Sequence, residues 1–585
     1  MTPSLVAPGG GVSPIADSGR LLADLALHLT LTALPIAAAM LLGAAAGLRR
    51  LPLLLALGLA ASGLVAILSF WAFYASLLVG KTFIYMVPGG SVLVIVATLR
   101  SGRVERGLLR ELGTPLALWA LGSAFIVYLG FLHGGSGEPF QMASVRFSSQ
   151  LPPDSAIPGW FADWFFAHSH HATPPAFPGE WLGSDRPPLQ VGYLLSQHGF
   201  GWDRTGLHAQ AIGVVVQQLW IVGLWALLLA GGVGRRARGL AVSALLVSDL
   251  VIVHGFFVWP KLLPAAFLLV AAALLLRPGW VELRRDRRAG ALVGALVSLA
   301  LLAHGASVFG LAPLAVFALA GGLPGRGWLA AAVAAGLVLL VPWGAYQHFA
   351  EPPGNRLTKW MLAGVEPIDG RGTVETILDS YGEAGFGGTV ENKWRNFEVM
   401  VGGSPGWGRL KRAAEAAGSG AWKAAAFELR QLFFFNLFPS LGLLLLGPVA
   451  MAVARLRGRP DGPEWRLAVL CWAAVLAGCL VWGLLLFGGP QSNASIHVGT
   501  LMIPLLALAA SVLGLCAALP RLAPWRVGLS AALTLALYAP ALSPPVGSAY
   551  SVWAGALAAA ALAGFVALAF RGAAASGSPN TLARR

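Results

Sequence analysis

Long apolar runs recur along the whole chain and alternate with short polar connections. A helix of about 20 apolar residues crosses a hydrocarbon core of roughly 30 Å. The pattern therefore predicts an all-α polytopic membrane protein with about 13–15 transmembrane helices. The expected spans lie near 21–47, 52–79, 82–99, 114–133, 207–230, 239–257, 262–277, 289–304, 307–322, 328–345, 433–453, 467–487, 499–519, 527–543 and 551–570.

Two long polar segments, 134–206 and 346–432, interrupt this pattern. Because loops carry function more often than the scaffold beneath them, the chemistry of the protein is expected in these two segments. They divide the chain into an N-terminal four-helix membrane segment (1–133), a first outer loop (134–206), a central transmembrane bundle (207–345), a second outer loop (346–432) and a C-terminal transmembrane bundle (433–585).

The distribution of arginine predicts the orientation of the chain. With these spans, the arginine-rich short connections all fall on one side, which the positive-inside rule places in the cytoplasm. Both long loops then lie outside, as does the N-terminus, whereas the C-terminus, which ends in Arg584 and Arg585, lies inside. The first twenty residues lack the basic start and short apolar core of a cleavable signal peptide.

Composition agrees with a membrane protein and excludes other classes. The chain is 57% hydrophobic and only 11% charged, whereas soluble domains carry roughly 25% charged residues. The net charge of +15 would suggest nucleic-acid binding in a soluble protein, but here the basic residues lie mostly in short connections between spans. No nucleic-acid partner is expected. The three cysteines lie in apolar runs, which argues against a disulfide framework.

The first long loop contains a predicted interfacial helix at 157–168. Its apolar side chains recur at the spacing of one helical face, and they are Ile157, Trp160, Phe161, Trp164 and Phe165. An aromatic stripe of this kind suits a helix that lies in the membrane interface. Asp154 precedes this helix. Its carboxylate is expected to cap the helix or to face a cleft, and the two roles can coexist.

The end of the same loop, DRPPLQ at 185–190, places an acid, a base and two prolines before a span. Pro187 restricts Arg186 to an extended conformation, so this segment is expected to reach the next span without forming a helix. Asp185 and Arg186 are then either a structural pair at the start of a span or a cation fixed beside an acid at the lip of a cavity.

The second long loop carries the sequence NRLTKW at 355–360. Arg356 and Lys359 are three residues apart and are expected to share one face of a helix. There they either clamp a phosphate, to which guanidinium is well suited, or serve as snorkelling cations of an interfacial helix. Farther along the chain, His497 lies among polar residues at the start of a predicted span.

The first loop resembles the GT-C superfamily of membrane glycosyltransferases, and most of all the branch of protein O-mannosyltransferases and lipid A aminoarabinose transferases. In that branch an outer loop starts with a catalytic Asp, runs through interfacial helices and re-enters the membrane at a K/R/H-P-P-L motif. In this chain the corresponding positions are occupied by Asp154, the helix at 157–168 and RPPL at 186–189. Two features differ: Ser155 replaces a second acid, and the loop follows the fourth predicted span, not the first.

The resemblance implies an inverting glycosyltransferase of the bacterial inner membrane. Such an enzyme moves a sugar from a polyprenyl-phosphate-linked donor to a hydroxyl of a glycan, lipid or protein acceptor at the outer face. Asp154 would be the catalytic base, and Arg186, Arg356 and Lys359 would contact the donor phosphate. The other cavity candidates are Asp163, Asp185 and His497.

The sequence contains two further candidate sites, a histidine-rich run and an acid inside a predicted span. The HSHH run at 168–171 has no partner motif, so interface packing is expected there, and no residue is assigned as a metal ligand. No cofactor is required by the sequence, and participation of a divalent metal is left open. Asp249 is the clearest charge inside a predicted span. It is either a polar contact between helices or a group in a cavity.

Two other classes of protein compete with a glycosyltransferase. A lipid or solute transporter or flippase would use an intramembrane site such as Asp249, usually between repeated halves of the chain. The sequence shows no strong internal repeat, and its polar residues concentrate in the two long loops. A non-catalytic membrane scaffold with the same fold is the third possibility.

Overall fold

The protein is helical throughout the part of the chain that its structure, a computed structural model, describes. That part comprises residues 14–148, 151–152, 155–171, 174, 181–201, 206–276, 285–368, 370–458, 461–488, 501–541 and 550–571, and it contains no β-strand. Nine of its helices are long and apolar enough to cross a membrane, and a bent pair of helices gives a tenth. The chain is therefore an all-α, multi-pass membrane protein, as the sequence predicts.

The nine candidate spans within the described residues share a length of at least 19 residues. They are Ser18–Ala45, Leu51–Ala75, Leu77–Arg100, Arg106–His133, Leu207–Ala230, Arg326–Ala350, Pro439–Arg457, Pro463–Leu485 and Val552–Phe570. The other α-helices are Pro139–Val145, Ile157–His168, Leu189–Gln197, Arg235–Leu246, Asp249–Phe256, Leu262–Leu276, Arg287–Ala303, Leu311–Gly321, Arg356–Ala363, Thr373–Val401, Gly403–Gly418, Trp422–Phe435, Met502–Ala518 and Ala523–Tyr538.

The count of spans is lower than the predicted 13–15 because several apolar helices are short. Leu262–Leu276 has 15 residues, which at 1.5 Å per residue extend only about 22 Å. Every residue from Leu262 to Leu275 is buried, and so is every residue from Met502 to Leu515. A helix enclosed by other helices is as apolar as one that faces lipid, so hydropathy does not distinguish the two.

Two predicted continuous spans are interrupted. Arg235–Leu246 and Asp249–Phe256 meet at an angle of 57°, where a single span at 239–257 was expected. Ser248 caps the second helix, since its side chain accepts a hydrogen bond from the backbone N–H of Val251 at 3.3 Å. We call this pair the broken span. The expected span at 433–453 is interrupted too, by a 3₁₀ turn at Pro439–Leu445 in which Gly442 adopts a φ of +52°.

The segment after the two prolines forms a helix, Leu189–Gln197. The expectation that 185–190 reaches the next span without a helix is therefore wrong for Leu189 and Gln190. Arg186 is extended, with φ −114° and ψ 117°, as expected from Pro187. The following Pro188 adopts a helical conformation and starts the helix, because proline is tolerated in a first helical turn. At Gly192 the helix packs so closely on Leu51–Ala75 that a Cβ atom would collide with the carbonyl group of Ala66.

Candidate active site

Parts of the two long segments are in direct contact. The backbone N–H of Gly183 donates a hydrogen bond to Oε1 of Glu351 at 2.9 Å. The side-chain amide of Gln347 donates to the carbonyl oxygens of Ser184 and Gly354, at 2.9 and 2.8 Å. The bonds to Glu351 and to Ser184 join two stretches that lie more than 160 residues apart. We call the side of the molecule where they meet the loop face.

Two arginines from the two segments lie on one tryptophan. The guanidinium carbon of Arg186 is 4.4 Å from the ring centroid of Trp181, and that of Arg356 is 4.0 Å from it. Both arginines are buried, with exposures of 9% and 6%. We call these three residues the arginine–tryptophan cluster. Cation–π attraction stabilises each guanidinium, although the two positive charges repel each other.

Two buried carboxyl groups accompany the cluster. Asp185 accepts a hydrogen bond from the backbone N–H of Leu182 at 2.9 Å, and its other oxygen is buried without a hydrogen-bond partner. Burial raises the pKa of Asp185, although the charges of Arg356 and Arg186 act in the opposite direction. Burial also raises the pKa of Glu351, despite a 2.9 Å hydrogen bond from the Tyr346 hydroxyl.

The raised pKa values matter for the charge of the loop face. A carboxyl group with a raised pKa carries its full negative charge only at higher pH than usual. Of the two acids, Asp185 is the one whose pKa responds to the charges of Arg356 and Arg186. Its negative charge offsets part of their positive charge, and this offset decreases as the pH falls.

Arg356 and Lys359 lie on the helix Arg356–Ala363, which confirms the predicted helix. Both also hold the chain that follows this helix. Nε of Arg356 donates to the carbonyl of Glu366 at 2.7 Å, and the Lys359 ammonium group donates to the carbonyl of Arg371.

The helix Ile157–His168 has the predicted bounds, but most of its apolar stripe faces protein. Phe161 and Phe165 are fully buried, and their rings lie 6.1 and 5.1 Å from that of Phe70 in the neighbouring span. Three members of the stripe, Ile157, Phe161 and Phe165, therefore pack on protein. Trp160 is exposed and Trp164 is half-buried, and the position of this helix in the membrane interface stays a prediction.

Of the remaining predicted site residues that the structure describes, Asp163 lies away from the cluster. Asp154 and His497 lie outside the described residues. Oδ1 of Asp163 is 2.9 Å from Nε2 of His198, whose ring stacks on Phe166 with a centroid distance of 3.8 Å. This pair lies at the C-terminal end of the helix Leu189–Gln197, whereas Arg186 precedes its N-terminal end. The role of each predicted residue stays a prediction.

The histidines at the end of the helix Ile157–His168 and just after it take part in packing. His168 stacks on Trp164 with a centroid distance of 4.1 Å, and Nδ1 of His170 is 2.7 Å from the carbonyl oxygen of Tyr74. In the part of the chain that the structure describes, no group of three His, Cys, Asp or Glu side chains is placed to hold a metal ion.

Sequence reasoning missed a buried polar chain that links three helices. The two ring nitrogens of His28 lie 2.9 Å from Oε1 of Gln197 and 2.8 Å from Nδ1 of His208. Nε2 of His208 is 3.8 Å from Asp24, and the amide of Gln197 donates to Thr32 at 3.1 Å. Polar residues inside apolar runs are the signal that could have found this chain, because such residues need partners.

The stability of the protein should depend on pH through the two buried acids of the loop face. Because the folded pKa values of Asp185 and Glu351 are raised, each group stabilises the fold fully below its unfolded pKa. That contribution is lost as the pH rises through the folded pKa. We expect the double variant Asp185→Asn, Glu351→Gln to lose less thermal stability than the wild type between about pH 4 and pH 7.

Thermal unfolding of the purified protein in detergent, measured across this pH range, checks the expectation. Asp461→Asn is the control, because Arg466 lowers the pKa of this exposed carboxyl, and its effect on stability has the opposite sign. Parallel pH profiles for the wild type and the double variant would contradict the assignment of raised pKa values.

No family model, curated protein or solved structure matches this chain.

Proposed function

We propose that this protein is a GT-C-like, inverting glycosyltransferase of a bacterial inner membrane. It moves a sugar from a polyprenyl-phosphate-linked donor to an acceptor hydroxyl at the outer face, which is the loop face. The observation that supports this most is the convergence of Arg186 and Arg356, from two distant segments, on the ring of Trp181. Two buried guanidinium groups in one place suit the binding of a phosphate.

The physical properties of the donor suit this place. A polyprenyl phosphate sugar is an amphiphile whose tail lies in lipid and whose phosphate lies at the depth of the lipid headgroups. The transfer releases a phosphate monoester, so negative charge develops on the leaving oxygen. Guanidinium groups held in place beforehand stabilise that charge most strongly where water is scarce. Arg186 and Arg356 are both buried, which meets this condition.

Asp154 is the proposed base. It takes the proton of the acceptor hydroxyl while that oxygen attacks the anomeric carbon from the side opposite the phosphate. The helix Ile157–His168, which follows Asp154 in the sequence, packs the ring of Phe161 against Gly183 next to the cluster. The resemblance of this loop to the GT-C pattern and the position of that helix therefore support the same location for base and leaving group.

A lipid or solute transporter or flippase is the second candidate, and the broken span favours it. Discontinuous helices with an acid at the break often build transport sites near the middle of the membrane. Asp249 is the first residue of the helix that follows the break. A transporter moves its ligand unchanged, whereas a glycosyltransferase cleaves the donor, so the chemical fate of the donor distinguishes the two classes.

Loss of either cluster arginine should weaken transfer. Charge-assisted hydrogen bonds contribute about 1.5–3 kcal/mol, so Arg186→Gln and Arg356→Gln are each expected to lower transfer by about 10–100-fold. The experiment reconstitutes the purified protein in vesicles with a panel of polyprenyl-phosphate-linked sugars and measures release of the polyprenyl phosphate. This readout does not require the acceptor to be identified in advance, provided that lipid and glycan extracts supply it.

Arg371→Gln is the matched control. Arg371 lies in the same segment as Arg356, is paired with Asp379 at 3.0 Å and is 40% exposed, so its replacement should leave transfer nearly unchanged. Equal transfer by the wild type and both cluster variants would exclude a phosphate-binding role for the arginines. Movement of intact donor across the bilayer, without cleavage, would favour the transporter.

A further inference from the structure

A cavity of about 310 Å³ lies at the break of the broken span, apart from the loop face. Most of its lining comes from three parts of the chain, namely the residues on either side of the break, the 3₁₀ turn Pro439–Leu445 and the helix Ala523–Tyr538. Phe433 and Leu508 complete it. Most of its lining is apolar and comes from leucine, valine and alanine side chains. The cavity therefore accepts a hydrocarbon, in a part of the molecule that the proposed transfer reaction does not use.

Asp249 is the acidic residue of this lining, and one of its oxygens has no partner. The residue is only 4% exposed. Oδ1 accepts a hydrogen bond from the backbone N–H of Leu250 at 2.8 Å, whereas Oδ2 is buried without a hydrogen-bond partner. A buried polar atom without a partner is costly, and acids inside a membrane protein are often functional.

Three of the hydroxyl groups around the cavity donate to backbone carbonyls. The Ser248 hydroxyl donates to the carbonyl of Leu245 at 2.7 Å, and the Ser440 hydroxyl donates to that of Leu437 at 2.6 Å. The Tyr538 hydroxyl donates to the carbonyl of Arg430 at 3.0 Å. Since these three donors are engaged with the backbone, none of them pairs with Oδ2 of Asp249.

The two interruptions of helical backbone also lie at this cavity. Non-helical backbone at membrane depth is tolerated where it is buried in protein or lines a cavity. Both interruptions described above, at residues 247–248 and at Pro439–Leu445, contribute to the lining of this cavity. A fold that only needed to cross the membrane would not require two such breaks to face each other.

The volume sets the size of the ligand. An engineered cavity of about 150 Å³ holds one benzene molecule, so a cavity twice as large holds roughly ten to fifteen non-hydrogen atoms. We propose that this cavity binds a hydrocarbon chain that ends in one hydrogen-bond donor, a hydroxyl or an amine, which donates to Oδ2 of Asp249. A carboxylate or phosphate head would add a second acid to an apolar cavity, and a plain hydrocarbon would leave Oδ2 unpaired.

The proposal can be tested by photolabelling the full-length protein in phospholipid vesicles. Three probes share a chain of about ten carbons with a diazirine and differ only in the head, which is a hydroxyl, a primary amine or a methyl ether. Labelling of residues 439–445 and 530–538 is then quantified by peptide mass spectrometry. We expect the hydroxyl or the amine probe to label these residues about ten-fold more than the ether, since the ether cannot donate a hydrogen bond.

Two variants test the carboxylate of Asp249 and the volume of the cavity separately. Asp249→Leu should abolish the preference for a donor head, and Ala531→Trp should reduce labelling by all three probes because it fills the cavity. Ser530→Ala, also in the lining, is the control that should keep the preference. The comparison of hydroxyl and amine identifies the head group. Equal labelling of the wild-type protein by all three probes would overturn the proposal, whether or not the variants fold.

Discussion

Asp154→Asn should lower sugar transfer by about 10²–10⁴-fold while the protein remains folded. Asn caps a helix about as well as Asp, so a residue whose role is only to cap would tolerate the change, and only Ala would cost about 0.5–2 kcal/mol. An amide cannot accept the proton of the acceptor hydroxyl. The same substitution therefore separates a capping role from the role of a base.

Transfer and thermal stability are to be measured on one purified sample of this variant. Asp163→Asn is a suitable companion, because Asp163 belongs to the same loop but is bonded to His198 and lies apart from the cluster. We expect it to keep most of the transfer activity. Near-normal transfer by a well-folded Asp154→Asn protein would rule out Asp154 as the base. Asp185, with its buried and unpartnered oxygen, would then be the next acid to test.

Local features of the loops could be predicted because they depend on neighbouring residues. The helix Ile157–His168 follows from apolar spacing, and the extended Arg186 follows from the proline after it. The helix Arg356–Ala363 places Arg356 and Lys359 one turn apart, as their spacing indicates. Each of these expectations uses a rule that acts over a few residues.

The convergence of Arg186 and Arg356 on Trp181 could not be predicted in this way. It depends on how two segments pack across the ends of many helices, and no local rule describes that. The same reason explains the chain of contacts through His28, whose partners are Gln197 and His208. The described residues contain fewer long apolar helices than the predicted 13–15 spans, because several of the predicted spans form short buried helices and one is bent.

Arg146 illustrates a long-range contact that the sequence does not indicate and that should matter for stability. Its side chain is fully buried and makes five hydrogen bonds, one from Nε and two from each terminal nitrogen. All five acceptors are backbone carbonyls near the ends of two helices, and they belong to Leu129, Gly130, Tyr538, Ala539 and Ala541. The positive charge also lies where the helix dipoles are negative. Arg146 thereby joins the start of the first long loop to the C-terminal bundle.

Arg146→Met should therefore destabilise the protein by about 3–5 kcal/mol, because it leaves several buried carbonyl groups without donors. Arg146→Lys should recover only part of this loss, since an ammonium group has three donors and lacks the planar shape that reaches both helix ends. Unfolding in detergent measures the difference. Arg110→Met is the control, because Arg110 is exposed on the helix Arg106–Gly130 whose last carbonyls Arg146 binds. If the Arg146→Met and Arg110→Met proteins unfold together, the five hydrogen bonds do not stabilise the fold as inferred, and the first long loop must be held to the C-terminal bundle by other contacts.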